Sequence, residues 1–442
     1  MARFLFNSLK ISTIFRSLKY RNYRLFFSGQ SISLIGTWMQ RITMPWLVYN
    51  MTGSELLLGI VSFAGQIPTF LLSPFAGVLS DRWNRYRVLL VTQIISMIQA
   101  SILAWLALTG KIEIWHIVVL SIAMGCINAF DVPSRHSFVI EMVENREDIG
   151  NAIALNSMMF NGARLVGPSV AGIILAATNA GICFLINAIS YVFVILSLLF
   201  MSVKSPKRKI ISETRILAEL REGLSYAFGF PPIRHILILL TAVSLTGMSY
   251  QVLMPVYSSD VLKGGSETYG FLMGAAGLGA LAGAIFLASR TTILGLGRLI
   301  PASAILLGSG LVFMSVSRIN SVAFLLMIVI GMGMMLQSAA SNTILQTITD
   351  DDKRGRVMSF YTMAIMGTAP FGSLLAGALA KAFGSQWTAF IFGLCSITGA
   401  LIFLRKLPEL KIIVRPIYVK LGVIPEVAEG MQISEQSANP RM

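Results

Sequence analysis

Residues 77–87 read Gly77-Val-Leu-Ser-Asp81-Arg82-Trp-Asn-Arg85-Tyr-Arg87, a charged joint between two apolar runs, Leu57 to Leu79 and Val88 to Leu108. Each run is long enough for a helix to cross the hydrocarbon core of a bilayer. The alternation of long apolar run and short polar joint continues in both directions. The 442 residues are 55% hydrophobic and 12% charged, with a mean hydropathy of +0.74. One soluble core cannot hide so much apolar surface, so lipid must be the main solvent. Lipid admits only helices and closed barrels, and strand-type alternation is missing from these runs. The expected fold is therefore an all-α polytopic membrane protein.

Twelve spans are expected: Leu25 to Tyr49, Leu57 to Leu79, Val88 to Leu108, Ile114 to Ser134, Ile153 to Ala176, Ile182 to Met201, Ile236 to Tyr257, Tyr269 to Ala288, Leu299 to Val316, Val322 to Ile344, Val357 to Ala380 and Trp387 to Leu404. They divide the chain into a basic arm (1–24), a six-helix half (25–201), a middle loop (202–235), a second six-helix half (236–404) and a tail (405–442).

The formal net charge of +15 raises the question of nucleic acid, and position answers it. Of the 35 Lys and Arg, 29 fall on one side of this map, four on the other, and two, Arg41 and Arg164, inside spans. This is the positive-inside bias, which places both termini and the middle loop in the cytoplasm and accounts for the basicity without nucleic acid. Trp46, Trp115 and Trp387 fall near the outer ends, where interfacial anchors are expected. Cys126, Cys183 and Cys395 all lie in apolar runs, so no disulfide framework is implied. His116, His136 and His235 show no metal-binding spacing, and no cofactor or metal is expected.

The halves look like copies. At an offset of 205, Gly150, Met158, Gly162, Gly167, Ala171 and Gly172 match Gly355, Met363, Gly367, Gly372, Ala376 and Gly377, with Asn145 opposite Asp350. Near an offset of 211, Gly59, Phe75 and Arg87 match Gly270, Phe286 and Arg298. Pseudo-symmetric halves are a transporter architecture, with the substrate path at their interface near mid-membrane. Gly270, Gly274, Gly279 and Gly283 read as a close-packing helix face.

The joint at Gly77–Arg87 resembles the signature loop of the major facilitator superfamily, G-x-L-x-D-R-x-G-R-R. There Gly77 lets helices close, while Asp81 and the arginines Arg82 and Arg85 latch the halves through a helix N-terminus and carboxylates. Asn84 stands where the family has glycine; asparagine tolerates a left-handed turn. The second half keeps Arg298 and has Thr292 in place of Asp81. Asp131 and Arg135, at the end of span four, add a carboxylate that needs a partner. Arg82, Arg85 and Arg135 are the candidates, forming a gating or coupling network. Gly162, Gly167, Pro168 and Gly172 resemble the antiporter motif of superfamily drug exporters, with Ala171 in place of one glycine.

Arg41 and Arg164 are counted to about mid-bilayer, where a charge is costly and is functional by default. No acid lies at comparable depth, so an anionic or catechol-like guest is expected to contact at least one of them. Gln40, Gln66, Asn156, Asn161 and Asn187 are candidates to add hydrogen bonds; Trp38 and Tyr191 are candidates to stack on a ring. Bracing of the bundle by these arginines and packing by the amides are the competing readings.

Tyr20-Arg-Asn-Tyr-Arg-Leu-Phe-Phe, Gly36-Thr-Trp-Met-Gln, Asn128-Ala-Phe-Asp-Val-Pro-Ser-Arg and Arg354-Gly-Arg-Val-Met-Ser together resemble one branch of the superfamily, that of the enterobactin (siderophore) exporter and macrolide and drug efflux carriers. The resemblance spans Tyr20 to Leu404. It implies a monomeric proton-driven exporter of a small molecule in the bacterial inner membrane. Multidrug or macrolide efflux is the alternative, and a lysophospholipid flippase a further one. A membrane enzyme would need a cluster of nucleophile, base or metal ligands that the sequence does not supply.

Overall fold

The computed structural model describes residues 15–202 and 225–424, apart from 291 and 352, and omits the side chains of 74, 77, 78 and 80–82. The arm up to residue 14, the middle loop from 203 to 224, the tail from 425 and the side chains of Gly77, Asp81 and Arg82 therefore lie outside the described residues. The described chain is helical throughout, without strands.

The first half holds α1 (Arg21–Thr52), α2 (Glu55–Arg82), α3 (Arg85–Leu108), α4 (Ile114–Glu141), α5 (Arg146–Ala177) and α6 (Ala180–Leu199). The second holds α7 (Pro231–Leu245), α8 (Ser266–Ala288), α9 (Leu296–Val316), α10 (Asn320–Ile348), α11 (Arg354–Thr362, continuing after a π turn as Ala369–Phe383) and α12 (Ser385–Lys420). Eleven of these are long and apolar enough to span a bilayer. The twelfth, α1, is 32 residues long but carries Gln30, Gln40 and Arg41.

Side chains set the helix starts. Ser54 Oγ accepts from the Leu57 amide, Asn145 Oδ1 from Glu147 and Asn179 Oδ1 from Ile182, satisfying orphan donors of the first turn. Asn84 does the same for Arg87, with φ −71° and ψ 111°. It is thus an N-cap in extended conformation rather than the left-handed turn residue expected. Asp350, matched to Asn145, does not cap α11, whose N-cap is Lys353; its carboxylate accepts from the Tyr226 hydroxyl instead. At the chain start, Asp148 in the first turn of α5 binds Arg16 at 2.9 Å and Lys19 at 2.7 Å. Its carboxylate holds the Lys19 ammonium above the ordinary range.

Several boundaries differ from expectation. The seventh span starts at Pro231, where a missing N–H costs nothing, and then loosens into 3-10 turns and a π turn at Tyr257–Val261 around Pro255. The last helix runs sixteen residues past Leu404, so what reads as tail begins as helix.

The packing repeats. The pairs α1–α5, α1–α6, α2–α4, α3–α4 and α3–α6 recur six helices later as α7–α11, α7–α12, α8–α10, α9–α10 and α9–α12. The principal contacts between halves are α5–α8 and α2–α11, which the same repeat exchanges. On α3 the residues Val91, Ile95, Ile98, Ile102 and Trp105 form an exposed apolar stripe at helical spacing, the lipid face.

Candidate substrate cavity

An even number of crossings brings the start of α1 and the end of α12 to one end of the bundle, here the terminal end. At the opposite end the halves are sealed by glycine. A Cβ on Gly172 would lie 2.9 Å from Gly270 Cα, and one on Gly377 would lie 2.9 Å from Gly59 Cα. These two crossings are images of each other: 59 and 270 differ by 211, 172 and 377 by 205. Backbones meet so closely only where side chains are absent. Trp46 stacks on Tyr269 at 5.7 Å, and the Tyr49 hydroxyl donates to Asp260 at 2.6 Å, adding α1 to the seal. Trp46 is therefore an inter-half contact and not the interfacial anchor expected, whereas Trp115 and Trp387 are exposed.

The seal leaves a cavity of about 370 Å³ toward the terminal end. Helix α1 supplies Gln30, Ser33, Leu34, Thr37, Trp38 and Arg41, spaced by three and four residues along one face. Facing it are Gln93 and Ser96 of α3, Asn128, Asp131 and Arg135 of α4, Asn156, Phe160 and Asn161 of α5, and Tyr191 of α6. The second half contributes Met366, from the π turn Met363–Gly367 of α11.

Arg41 forms the blind end, its guanidinium carbon 5.0 Å from the Trp38 ring centre. The guanidinium makes no hydrogen bond or ion pair with the described residues. Arg164 approaches the same ring at 5.7 Å but is not part of the cavity wall. Its Nη2 reaches the Met334 sulfur of α10 at 3.7 Å, beside the buried Tyr250 hydroxyl. So Arg41 faces the cavity, while Arg164 sits where the halves close above it. Phe160 meets Trp38 edge-on at 5.7 Å, completing an aromatic shelf.

The expected amides separate into two sets. Asn156 and Asn161 line the cavity, Asn161 bonding the Ser157 carbonyl of its own helix. Gln40 and Asn187 do not: Asn187 Nδ2 donates to Gln40 Oε1 at 2.7 Å, and Gln40 Nε2 donates to Gln99 Oε1 at 3.1 Å. Both are buried, and with Gln99 they tie α1, α3 and α6 together. Gln66 bonds Ser373 across the α2–α11 contact.

Asp131 is the one carboxylate on the cavity wall among the described residues. Its Oδ1 accepts from Thr92 at 3.0 Å and Gln93 at 2.7 Å, and its Oδ2 pairs with Arg135 at 3.5 Å. Arg85 binds Glu141 at 2.8 Å, so of the described arginines proposed for Asp131 only Arg135 reaches it. In the antiporter-like stretch, Gly167 lets the Trp38 Cβ approach and the Pro168 carbonyl touches Gly270, but Gly162 faces open space. Thr92, Gln93, Tyr250 and the Tyr49–Asp260 bond escaped the sequence reading; the i, i+3, i+7 polar stripe from Gln30 on α1 was a legible signal of the wall.

The transmembrane secretion effector family matches residues 12–416, nearly the whole chain. The chain belongs to this family of major facilitator transporters. It is 28% identical over 381 residues to the staphyloferrin A transporter of Staphylococcus aureus, covering 86% of this chain and 95% of that one. It is 25% identical over 385 residues to the multidrug efflux pump Tap of Mycolicibacterium fortuitum, covering 85% and 93%. A POT family transporter solved with 5-aminolevulinic acid superposes with a TM-score of 0.71 at 14% identity, covering 88% of this chain and 96% of that one, a likeness of fold. The chain is a multi-pass secondary transporter of the major facilitator fold, whose relatives include a siderophore transporter and a drug efflux pump.

Proposed function

We propose that this transporter exports a small anionic molecule, a carboxylate or catecholate of the siderophore kind, by alternating access driven by the proton gradient. It would do so as a monomer in the bacterial inner membrane, with both termini and the terminal end of the bundle in the cytoplasm. One observation carries the reading: Arg41 is a cation at the blind end of the cavity with no acid to neutralise it. A charge at that depth marks a functional site, and the exposure of Arg41 to the cavity leaves it open to a negatively charged guest. The kinship with a staphyloferrin A transporter supports the same class. The aromatic shelf of Trp38 and Phe160 would hold a planar or unsaturated part of the guest.

Rocking would break the glycine crossings of α5–α8 and α2–α11 and close the terminal end. Asp131 would be the hub of coupling: a proton on it would weaken its hold on Arg135 and free that cation. The shelf also favours a second reading, efflux of lipophilic drugs; the relative Tap is named a multidrug efflux pump.

The reading is tested in inverted membrane vesicles, whose interior stands for the cell exterior. Under an acid-inside gradient, uptake of carboxylate and catecholate siderophores should exceed that of control vesicles and should stop on addition of a protonophore. Uptake restricted to neutral or cationic drugs would select the second reading.

A further inference from the structure

A second cavity, of about 360 Å³, lies wholly within the second half at the terminal end. Its floor is aliphatic and aromatic: Ile236 of α7, Ile300 of α9, Ile344 of α10, and Phe403, Leu407 and Leu410 of α12. Three cations stand on its rim, Arg298 at the start of α9 and Lys411 and Arg415 on α12. All three are exposed, and none of their side chains makes an ion pair or hydrogen bond with a described residue.

The position follows from helix length. The 36 residues of α12 span roughly 54 Å at 1.5 Å per residue, against a hydrocarbon core of about 30 Å. Counting from Ser385, the core is crossed near Arg405, so Leu407 to Leu410 lie at headgroup depth and Lys411 and Arg415 stand on the turns just past it. That projecting stretch buries one apolar face, while Ile412 stays exposed beside the cations. Leu407, Leu410 and Val414 are buried, while Lys411 and Arg415, four residues apart, present their charges on one side. A soluble extension would not need an apolar chamber beneath its cations, and a plain topogenic charge cluster would not enclose one.

We infer that this cavity is a binding site for an anionic phospholipid of the adjoining leaflet, with acyl chain against the Ile300–Leu407 floor and headgroup phosphate held by Arg298, Lys411 and Arg415. The size falls in the range of ligand sites, and charge and apolarity are arranged as an anionic amphiphile requires. Because every wall belongs to one half, the lipid stays bound through rocking. It splints the start of α9 to the projecting part of α12.

The test is native mass spectrometry of the full-length protein in a neutral detergent, titrated with phosphatidylglycerol or phosphatidylcholine of the same chains. Phosphatidylglycerol should be retained at least about tenfold more than phosphatidylcholine, and sn-glycerol-3-phosphate, which has the charge without the chains, should not displace it. The triple variant R298A/K411A/R415A should lose that preference while its thermal unfolding without added lipid stays as in the parent. A second variant, Ile300→Trp, fills the floor and should lower phosphatidylglycerol retention with the three cations intact. Equal retention of the two lipids, a full preference in the triple variant, or displacement by glycerol phosphate alone would overturn the proposal. So would binding seen only after removal of residues 425–442, which would give the chamber to the chain's own end, since Ile424 stands at its lip.

Discussion

The Arg41 guanidinium lies 5.0 Å from the centre of the Trp38 ring, three residues before it on the same face of α1. The indole holds the cation in place at the blind end of the cavity without neutralising it, which leaves the charge available to a guest.

Replacing the ring should therefore weaken binding without removing the charge. A cation–π contact contributes about 0.5 kcal/mol when exposed and about 2 kcal/mol when desolvated, so Trp38→Ala should lower apparent substrate affinity by about twofold to thirtyfold. Trp38→Phe should recover part of it. Concentration dependence of vesicle uptake measures both.

Gln40 precedes Arg41 and behaves oppositely. Gln40→Leu or Asn187→Leu leaves a buried amide unsatisfied, at a cost of about 1 to 3 kcal/mol. Each should lower the thermal unfolding temperature in detergent and leave apparent substrate affinity unchanged. A changed affinity with unchanged stability would return these two residues to the substrate path.

The contrast shows where the sequence could be read. A depth count found Arg41 and Arg164 as charges inside the membrane, but depth does not say which way a side chain faces: the next residue on a helix is turned by about 100°, and Gln40 bonds Gln99 and Asn187 within the first half while Arg41 lines the cavity. The stripe Gln30–Ser33–Thr37–Arg41 held that information in its spacing. Repeat offsets matched Gly59 with Gly270 and Gly172 with Gly377, and the structure brings them into contact as two symmetry-related crossings. Spacing could not reveal that Gly172 meets Gly270 instead of another helix of its own half, because that depends on how the halves dock. The length of α12 was hidden for another reason. Arg405 and Pro408 read as the end of a span, yet the helix continues because Leu407, Leu410 and Val414 bury themselves against the second half.

The two glycine crossings predict matched effects. A side chain on Gly172 or Gly377 would stand under 3 Å from a facing backbone, so Gly172→Val and Gly377→Val should each disfavour closure of the opposite end. Spin labels at Met51→Cys and Glu267→Cys should move apart in both variants, to similar extents. An effect confined to one variant would contradict the exchange of crossings by the repeat.

At Asp131 charge can be separated from scaffold. In Asp131→Asn the amide oxygen can still accept from Thr92 and Gln93, while Arg135 loses its carboxylate. Folding should survive, and transport in vesicles should become insensitive to an imposed pH gradient. Arg135→Ala should also impair coupling. Gradient-dependent transport by Asp131→Asn at the parental rate would remove this residue from the coupling path.

The central claim is that Arg41 receives an anionic guest. It is tested most directly by comparing the small molecules retained by iron-limited cells that lack the gene, carry it, or carry Arg41→Ala, using untargeted mass spectrometry with the membrane level of each protein matched. The account predicts an anionic metabolite that builds up in cells lacking the gene, falls on wild-type complementation, and stays at least about tenfold higher in Arg41→Ala cells than in complemented ones. If no anionic metabolite differs, or if Arg41→Ala clears it as well as the wild type, the account is contradicted.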